Sequence, residues 1–312
     1  MTIRKDISFP GDDDVQLAGW LYLPRQKDES PRPAITMAHG YAGVKEHGLA
    51  RFAEAFADAG FVVLVHDHRG FGGSGGEPRQ HVDPWRQIAD WRRAISYLES
   101  RPEVDPARIG LWGSSYAGGH ALVLAATDRR VACVVSQVPT ISGYDQGLRR
   151  VPPDSVRALE AAFDIEERSL FHGGKPSFQA VVSADASVAA SYRAPDAVAF
   201  YLQPLPASAD WRNEVTTRST RLARMYEPGV WAARISPTPL LMVVASHDTV
   251  TLTDLALTTY EQALWPKALA IVPGGHFDAY GAGFDIASAA AVHWFEEHLG
   301  AAPASKIATS PA

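Results

Sequence analysis

The sequence predicts an α/β protein in which a mostly parallel β-sheet is covered by helices on both faces. Short apolar runs alternate with amphipathic stretches at helical spacing along most of the chain, which is typical of such a sheet. One run leads through a turn of small residues directly into an apolar helix, at residues 109–125. The alternation breaks only between about residues 142 and 233, so we expect one sheet domain that carries an insertion.

The first half of the chain supplies most of the predicted sheet. Residues 3–9 and 15–24 indicate an antiparallel hairpin, which makes the sheet mixed. Buried parallel strands are then expected at residues 34–38, 61–67, 109–112 and 131–138. Amphipathic helices fill the intervals, and the first of them begins near Leu49 and stops at Gly60.

The block at residues 142–233 has recurrent prolines, scattered aromatic residues and no clear parallel strand, which predicts a mostly helical insertion. Because it enters after one sheet strand and leaves before another, we expect it to cap the carboxyl edge of the sheet. Two further strands are predicted at residues 240–246 and 268–274, before a last helix. The predicted divisions are a core domain of residues 1–141 and 234–300, a helical cap at 142–233 and a disordered tail at 301–312.

Composition and charge exclude several kinds of partner. The 312 residues carry a formal net charge of -6 without a Lys/Arg-rich block, so neither nucleic acid nor an anionic membrane is an expected partner. No apolar run is long enough to span a membrane, and the N-terminus lacks the apolar region of a secretory signal. We therefore expect a cytoplasmic protein. Cys133, the only cysteine, lies in an apolar run and is expected to be buried and inert.

The turn within residues 109–119 predicts a nucleophile. A strand, a sharp turn and a helix with serine at the apex form the context in which a G-x-S-x-G-like sequence indicates nucleophilic chemistry. The residues two before and two after the nucleophile must be small, and Ser115 meets this requirement with Gly113 and Ala117. Ser114 would place large aromatic residues there. The alternative is a plain strand–helix turn rich in small residues.

A serine hydroxyl needs a histidine to accept its proton and a carboxylate to orient that histidine. Asp248 directly follows the strand predicted at residues 240–246, and His276 follows the last predicted strand after two glycines. Because parallel strands end at one edge of the sheet, Ser115, Asp248 and His276 can converge there. Their order along the chain is that of the α/β-hydrolase arrangement. Taken singly, Asp248 could be a helix cap and His276 a loop histidine.

The developing oxyanion needs hydrogen-bond donors as well. The backbone N–H of Tyr116, the residue after the nucleophile, is one expected donor, and that of Tyr41 is the other. The glycine-rich loop at residues 66–79 lacks a phosphate-binding signature, and we expect Asp67 and Arg69 to brace it. Neither a metal nor another cofactor is expected, because no metal-ligand motif is present.

These motifs resemble those of the α/β-hydrolase superfamily over nearly the whole chain. More narrowly, the chain is similar to bacterial and fungal serine hydrolases related to dienelactone hydrolase, whose HG-x-x-G, D-x-R-G-x-G-x-S and serine-elbow motifs match residues 39–43, 67–74 and 113–117. The resemblance implies an eight-stranded, mostly parallel sheet with a variable cap, and hydrolysis or transfer of an acyl group without a cofactor. Ala117 departs from the usual second glycine. Dienelactone hydrolases proper use cysteine, so their substrate is not carried over.

The sequence therefore predicts a serine hydrolase that cleaves a carboxylic ester through an acyl-enzyme, with a small-molecule ester as its partner. Acyl transfer and hydrolysis of lactones or amides would use the same triad and stay open, as do C–C bond hydrolysis and homo-oligomerisation. A ligand receptor that merely retains the fold is the alternative from a different class. A dehalogenase would have aspartate in place of Ser115. The aromatic residues of the insertion indicate an apolar pocket.

Overall fold

The computed structural model describes residues 2–24 and 30–300. Within these ranges the strands are β1 (Ile3–Pro10), β2 (Gln16–Leu23), β3 (Arg32–Ala38), β4 (Val62–His66), β5 (Val104–Ser114), β6 (Val131–Gln137), β7 (Phe178–Val182), β8 (Ala190–Tyr192), β9 (Val215–Thr216), β10 (Leu240–Ala245) and β11 (Lys267–Val272). The α-helices are α1 (Leu49–Asp58), α2 (Pro84–Glu99), α3 (Tyr116–Thr127), α4 (Gly143–Arg150), α5 (Val156–Phe171), α6 (Pro195–Tyr201), α7 (Thr217–Arg224), α8 (Thr253–Gln262) and α9 (Phe284–Leu299).

The main sheet has eight strands in the order β1-β2-β4-β3-β5-β6-β10-β11. Strand β2 is antiparallel to both of its neighbours, and the other neighbouring pairs are parallel. The predicted fold, a mixed but mostly parallel sheet covered by helices, is confirmed. Strand β5 begins at Val104 rather than at Ile109, because Val104 pairs with Arg32 before the register shifts.

The core lies on both faces of this sheet. On one face, Ile88 and Trp91 of α2 belong to the same cluster as Leu122 of α3, and on the other Phe56 of α1 packs against Phe295 of α9. Every residue of β4 is buried, which explains why its sequence is an unbroken apolar run apart from its last residue. Helix α2 begins where the Asp83 carboxylate accepts hydrogen bonds from the first free backbone N–H groups.

The insertion, defined here as residues 142–233, contains helices α4 to α7 and also a small sheet in the order β8-β7-β9. The sequence predicted the helices but no strand. These strands have only five, three and two residues, and β8 is half-buried, so they show no clear alternation or apolar run.

The insertion is bonded to the loops at the carboxyl edge of the main sheet. The Ser219 hydroxyl accepts a hydrogen bond from the backbone N–H of Val82 at 2.8 Å, and Gln80 O accepts one from Thr216 N at 3.0 Å. The division of the chain into two domains stays a prediction, and the tail at 301–312 lies outside the described residues. Among the described helices, none has both the length and the apolar character that a membrane crossing requires.

Candidate active site

Ser115 lies at the junction of β5 and α3 with a φ of 59° and a ψ of -119°, a backbone conformation that is costly for any residue but glycine. Two backbone bonds hold it: Ser115 N donates to Gln137 O at 2.8 Å, and Ser115 O accepts from Thr140 N at 2.9 Å. A Cβ atom on Gly113 would collide with the backbone carbonyl of Ala117. This clash is the physical reason for the small residue that the sequence argument required.

The structure brings Ser115, His276 and Asp248 together, each in the loop that follows a parallel strand. His276 Nε2 is 3.0 Å from Ser115 Oγ, and His276 Nδ1 is 2.8 Å from Asp248 Oδ2. An ionised carboxylate can only accept, so Nδ1 carries the ring proton and Nε2 accepts from the serine hydroxyl. All three residues are buried, with 7%, 2% and 6% of their surface exposed respectively.

The carboxylate of Asp248 is held by donors beyond the histidine. Its Oδ1 accepts from the backbone N–H groups of Val250 and Thr251, both at 2.8 Å, and its Oδ2 accepts from the Thr251 hydroxyl at 2.8 Å. Burial by itself would raise the pKa of Asp248, but the charge and hydrogen bond of His276 and the bonds from Thr251 lower it to about 2. Asp248 is therefore ionised at neutral pH and can stabilise a protonated His276.

Two backbone N–H groups lie free at the serine. Within the described part of the chain, neither Tyr41 N nor Tyr116 N donates a hydrogen bond to a protein acceptor. Tyr116 begins α3 directly after Ser115, and Tyr41 follows Gly40. A Cβ atom on Gly40 would lie 2.9 Å from the Cβ of Ser115, so only glycine lets this loop come so close. Both predicted oxyanion donors are thus available on loops that meet at Ser115.

On the side of the core domain, buried polar groups hold the loop that carries Tyr41. His39 Nδ1 donates to Gly40 O at 2.9 Å, and His39 Nε2 accepts from His68 N at 3.1 Å. Burial lowers the pKa of His39 to about 4, which keeps the ring neutral for both bonds. Asp67 accepts from both the backbone N–H of Lys45, at 2.8 Å, and its ammonium group, at 2.5 Å.

Side chains of the insertion hold the same loop from the opposite side. The Tyr201 hydroxyl donates to Tyr41 O at 2.6 Å, and the Trp211 indole N–H donates to Ala42 O at 2.8 Å. Tyr201 O in turn lies 3.3 Å from His47 Nε2. The position of the predicted oxyanion donor at residue 41 therefore depends on side chains from the insertion.

Two hollows adjoin this site. A cavity of only about 10 Å³ touches Ser115 and His276 and is lined by aromatic residues that include Phe200, Phe277 and Tyr280. A larger one, of about 670 Å³, lies between the insertion and the core and is lined at its core end by Tyr41 and Tyr116. Much of its wall is apolar, as the sequence indicated, with Leu159 and Ala197 among the lining residues, but two glutamines and three arginines face it as well.

Sequence reasoning missed several residues that shape the site. Thr251 bonds the acid, Tyr201 bonds the loop of Tyr41, and the Tyr280 hydroxyl lies 2.6 Å from Ser114 Oγ, beside the nucleophile. Tyr201 and Tyr280 are distant in sequence from the residues that they contact, and Thr251 is a polar residue of a common kind. No local sequence motif therefore marks any of them. Among the described residues, no group of three or more His, Cys, Asp or Glu side chains could hold a metal ion.

Comparison with known families agrees with this architecture. The model of the family described as X-Pro dipeptidyl-peptidase (S15 family) matches residues 12–278. This range covers most of the chain and all three residues of the hydrogen-bonded series. The chain therefore belongs to the S15 family of the α/β-hydrolase superfamily, which confirms the predicted superfamily and makes this a hydrolase-family enzyme.

Curated relatives extend over most of the chain. The quorum-quenching protein AidA of Acinetobacter baumannii (strain MDR-ZJ06) is 36% identical over 245 residues, 78% of this chain and 79% of that protein. The thiohydrolase aneE of Aspergillus aculeatus is 31% identical over 273 residues, 85% and 83% of the two chains. The polyketide transferase grgF of Penicillium sp is 30% identical over 281 residues, 88% and 90%. The crystal structure of α/β hydrolase GrgF from Penicillium sp. sh18 matches with a TM-score of 0.82 at 26% identity, covering 95% and 99%.

Proposed function

We propose that this protein is a serine hydrolase that cleaves an ester or thioester of a carboxylic acid, with Ser115 as nucleophile. The observation that carries the proposal is the continuous hydrogen-bonded series Ser115–His276–Asp248 with two free backbone N–H groups beside the serine. Each part of this arrangement matches a requirement of acyl transfer through a covalent intermediate.

The proposed reaction has two halves. Ser115 Oγ attacks the acyl carbon while His276 Nε2 takes its proton, and the N–H groups of Tyr41 and Tyr116 bind the carbonyl oxygen as it becomes negative. His276 then gives the proton to the leaving alcohol or thiol, whose bond to the acyl carbon breaks. Water attacks the acyl-enzyme, again with His276 as base, and releases the acid and free Ser115. Asp248 stays ionised throughout and holds the imidazolium.

One of the relatives supports hydrolysis of thioesters as well as of oxygen esters. A protein named thiohydrolase is 31% identical, which favours thioesters beside oxygen esters as substrates. Thioesters need the same nucleophile, base and oxyanion donors, because the acyl carbon and the tetrahedral intermediate are alike.

That the substrate is a small molecule and that the protein is cytoplasmic stay predictions.

Acyl transfer is a second candidate with an observation of its own. The hollow beside Ser115 and His276 is only about 10 Å³ and is lined in part by aromatic rings, which leaves little room for water at the acyl-enzyme. A relative named polyketide transferase is 30% identical. Product analysis with alcohols or amines as competing acceptors distinguishes the two reactions: a hydrolase yields mainly free acid, whereas a transferase yields the new ester or amide.

The test of the proposal is hydrolysis of p-nitrophenyl esters and acyl thioesters by the wild type and Ser115→Ala. We expect kcat/KM to fall by a factor on the order of 10⁴ or more in the variant. Ser114→Ala is the matched control, because it removes the neighbouring hydroxyl and keeps the nucleophile. Circular dichroism checks that the fold is retained. Unchanged turnover by folded Ser115→Ala would overturn the proposal.

A further inference from the structure

The cavity of about 670 Å³ has a charge of one sign on its wall. Among the described residues that line it, the charged side chains are Arg150, Arg193 and Arg224. Arg193 is occupied, because its guanidinium donates to the backbone carbonyls of Asp185 and Val188 at 2.7 and 2.6 Å. The other two arginines therefore decide what the cavity can bind.

Arg224 is the inner of these two groups. Its side chain is only 17% exposed, and its nearest described carboxylate oxygen, on Glu160, is 3.9 Å away from Nη2. Its Nη1 is buried without a hydrogen-bond partner in the described part of the chain. A buried guanidinium N–H without an acceptor is costly, so the cavity favours a ligand that supplies one. Gly147 creates the room, since a Cβ there would lie 2.7 Å from Nη1.

Arg150 stands at the edge of the same cavity. Its guanidinium lies over the ring of Tyr192 at 4.7 Å and, among the described residues, donates one hydrogen bond, to Val250 O at 3.0 Å. Its neighbour Arg149 differs sharply, because both of its terminal nitrogens bond the carboxylate of Asp254, at 2.8 and 2.7 Å. Both arginines are exposed, but Arg149 is neutralised by Asp254, whereas Arg150 lines the cavity and has no carboxylate partner in the described part of the chain.

The position of the cavity assigns it to one side of the substrate. In the proposed reaction the leaving group must receive its proton from His276, and His276 lines the small hollow but not the larger cavity. Tyr41 and Tyr116, whose N–H groups bind the oxyanion in that reaction, line the core end of the larger cavity. Ser115 also lines only the small hollow, so an acyl chain bound in the larger cavity has to pass Tyr41 and Tyr116 on its way from the nucleophile.

We propose that this cavity binds an acyl chain that ends in a carboxylate, held by Arg224 and Arg150. Planar guanidinium groups match carboxylates in shape and charge and can donate two parallel hydrogen bonds. The inference rests on the proposed function and names its substrate class: half-esters or half-thioesters of dicarboxylic acids, in which the free carboxylate lies at the far end from the scissile bond.

The test compares two sets of substrates made from adipate, suberate and sebacate. One set is the mono-p-nitrophenyl esters, which keep a free distal carboxylate, and the other is the corresponding diesters in which that carboxylate is a methyl ester. For the best chain length we expect the wild type to prefer the anionic ester in kcat/KM by about 10- to 100-fold, the size of one or two charge-assisted hydrogen bonds. The preference should fall toward unity in Arg224→Met and in Arg150→Gln. Arg149→Gln is the matched control, which removes the same charge one residue away and should keep the preference.

A binding measurement keeps the two proposals separate. Titration calorimetry of Ser115→Ala with monomethyl suberate and with dimethyl suberate needs no turnover, and we expect only the anionic ester to bind measurably. Equal binding of both, or a preference that survives in Arg224→Met and Arg150→Gln, would overturn the carboxylate site. Hydrolysis that continues in Ser115→Ala would instead overturn the proposed function.

Discussion

The main sheet and the insertion bury their residues to very different extents. All five residues of β4 are buried, whereas only Phe163 and Glu166 are buried among the sixteen of α5. The three residues proposed as nucleophile, base and acid come from loops of the sheet, while the wall of the large cavity comes mostly from the insertion. A buried region thus fixes the groups proposed to react, and a more exposed one shapes the space proposed for the substrate.

The two regions meet at the loop that carries Tyr41. From the sheet side, His39 orients Gly40, and from the insertion, Tyr201 bonds Tyr41 O. The sheet and the insertion therefore do not have fully separate roles, because the position of one proposed oxyanion donor, Tyr41 N, depends on contacts from both. This contrast makes different predictions for substitutions in each region.

The largest effect is expected at Asp248, in the sheet region. Asp248→Asn removes the charge that stabilises protonated His276 and favours the wrong ring tautomer, so kcat should fall by a factor on the order of 10⁴. Asp254→Asn, which loses only the exposed pair with Arg149, is the control and should leave kcat nearly unchanged. Steady-state kinetics on a p-nitrophenyl ester measure both. Comparable kcat for Asp248→Asn and the wild type would contradict the assignment of the acid.

Stability should separate the regions next. Phe52 is fully buried in the sheet core, so Phe52→Ala should lower the free energy of unfolding by about 3–5 kcal/mol. Phe171 lies at the end of α5 and is 84% exposed, so Phe171→Ala should change it by less than about 0.5 kcal/mol. Urea denaturation followed by circular dichroism measures both values. Similar losses for the two variants would contradict the burial of Phe52 or the exposure of Phe171.

The sheet region should also make the protein sensitive to acid. Burial lowers the pKa of His66 and of His120 to about 3, so the unfolded chain binds protons below about pH 6.5 that the folded chain does not. The contribution of these two histidines to the free energy of unfolding is therefore fully present above about pH 6.5. It is lost as the pH falls toward 3, by about 1.4 kcal/mol per pH unit for each histidine.

Unfolding free energies measured from pH 7 to pH 4 test this prediction. His66→Leu should lower the slope of stability against pH, because it removes one of the buried titrating groups. His172→Gln, at an exposed position of the insertion, should leave the slope as it is in the wild type. A flat profile for the wild type would show that these histidines are not buried as neutral groups.

The smallest effect is expected where the regions join. Tyr201→Phe removes the hydrogen bond to Tyr41 O and loosens a proposed oxyanion donor, so kcat should fall by about 2- to 12-fold, the worth of one hydrogen bond. KM should change less, because the bond acts on the transition state. Tyr144→Phe, in an exposed position of the same insertion, is the control. An effect confined to KM would contradict this role for Tyr201.

The same contrast explains how far the sequence could predict the molecule. The strands of the sheet are buried on both faces and appear as apolar runs, and parallel strands end at one edge, so Ser115, Asp248 and His276 could be placed together without coordinates. Strand β8 is only half-buried and three residues long, which leaves no such signal. The small sheet of the insertion was therefore missed.

Contacts between distant residues were out of reach for a related reason. Tyr201 bonds Tyr41 across 160 positions, and Arg224 faces the cavity from a helix whose pattern marks only an exposed, charged surface. A tyrosine hydroxyl or an arginine has many satisfactory surroundings, and only the tertiary structure selects one. Gly40 was recognised within a motif, but the steric reason for it requires the position of Ser115.

The central claim is that Ser115 is an activated nucleophile, and covalent labelling tests it most directly. The folded wild type is treated with a fluorophosphonate probe, and intact mass and peptide mapping then locate the adduct, with Ser115→Ala and Ser114→Ala in parallel. The account predicts a single adduct on Ser115 that forms in the wild type and in Ser114→Ala but not in Ser115→Ala. The absence of an adduct on the folded wild type, or an adduct on another residue, would contradict it.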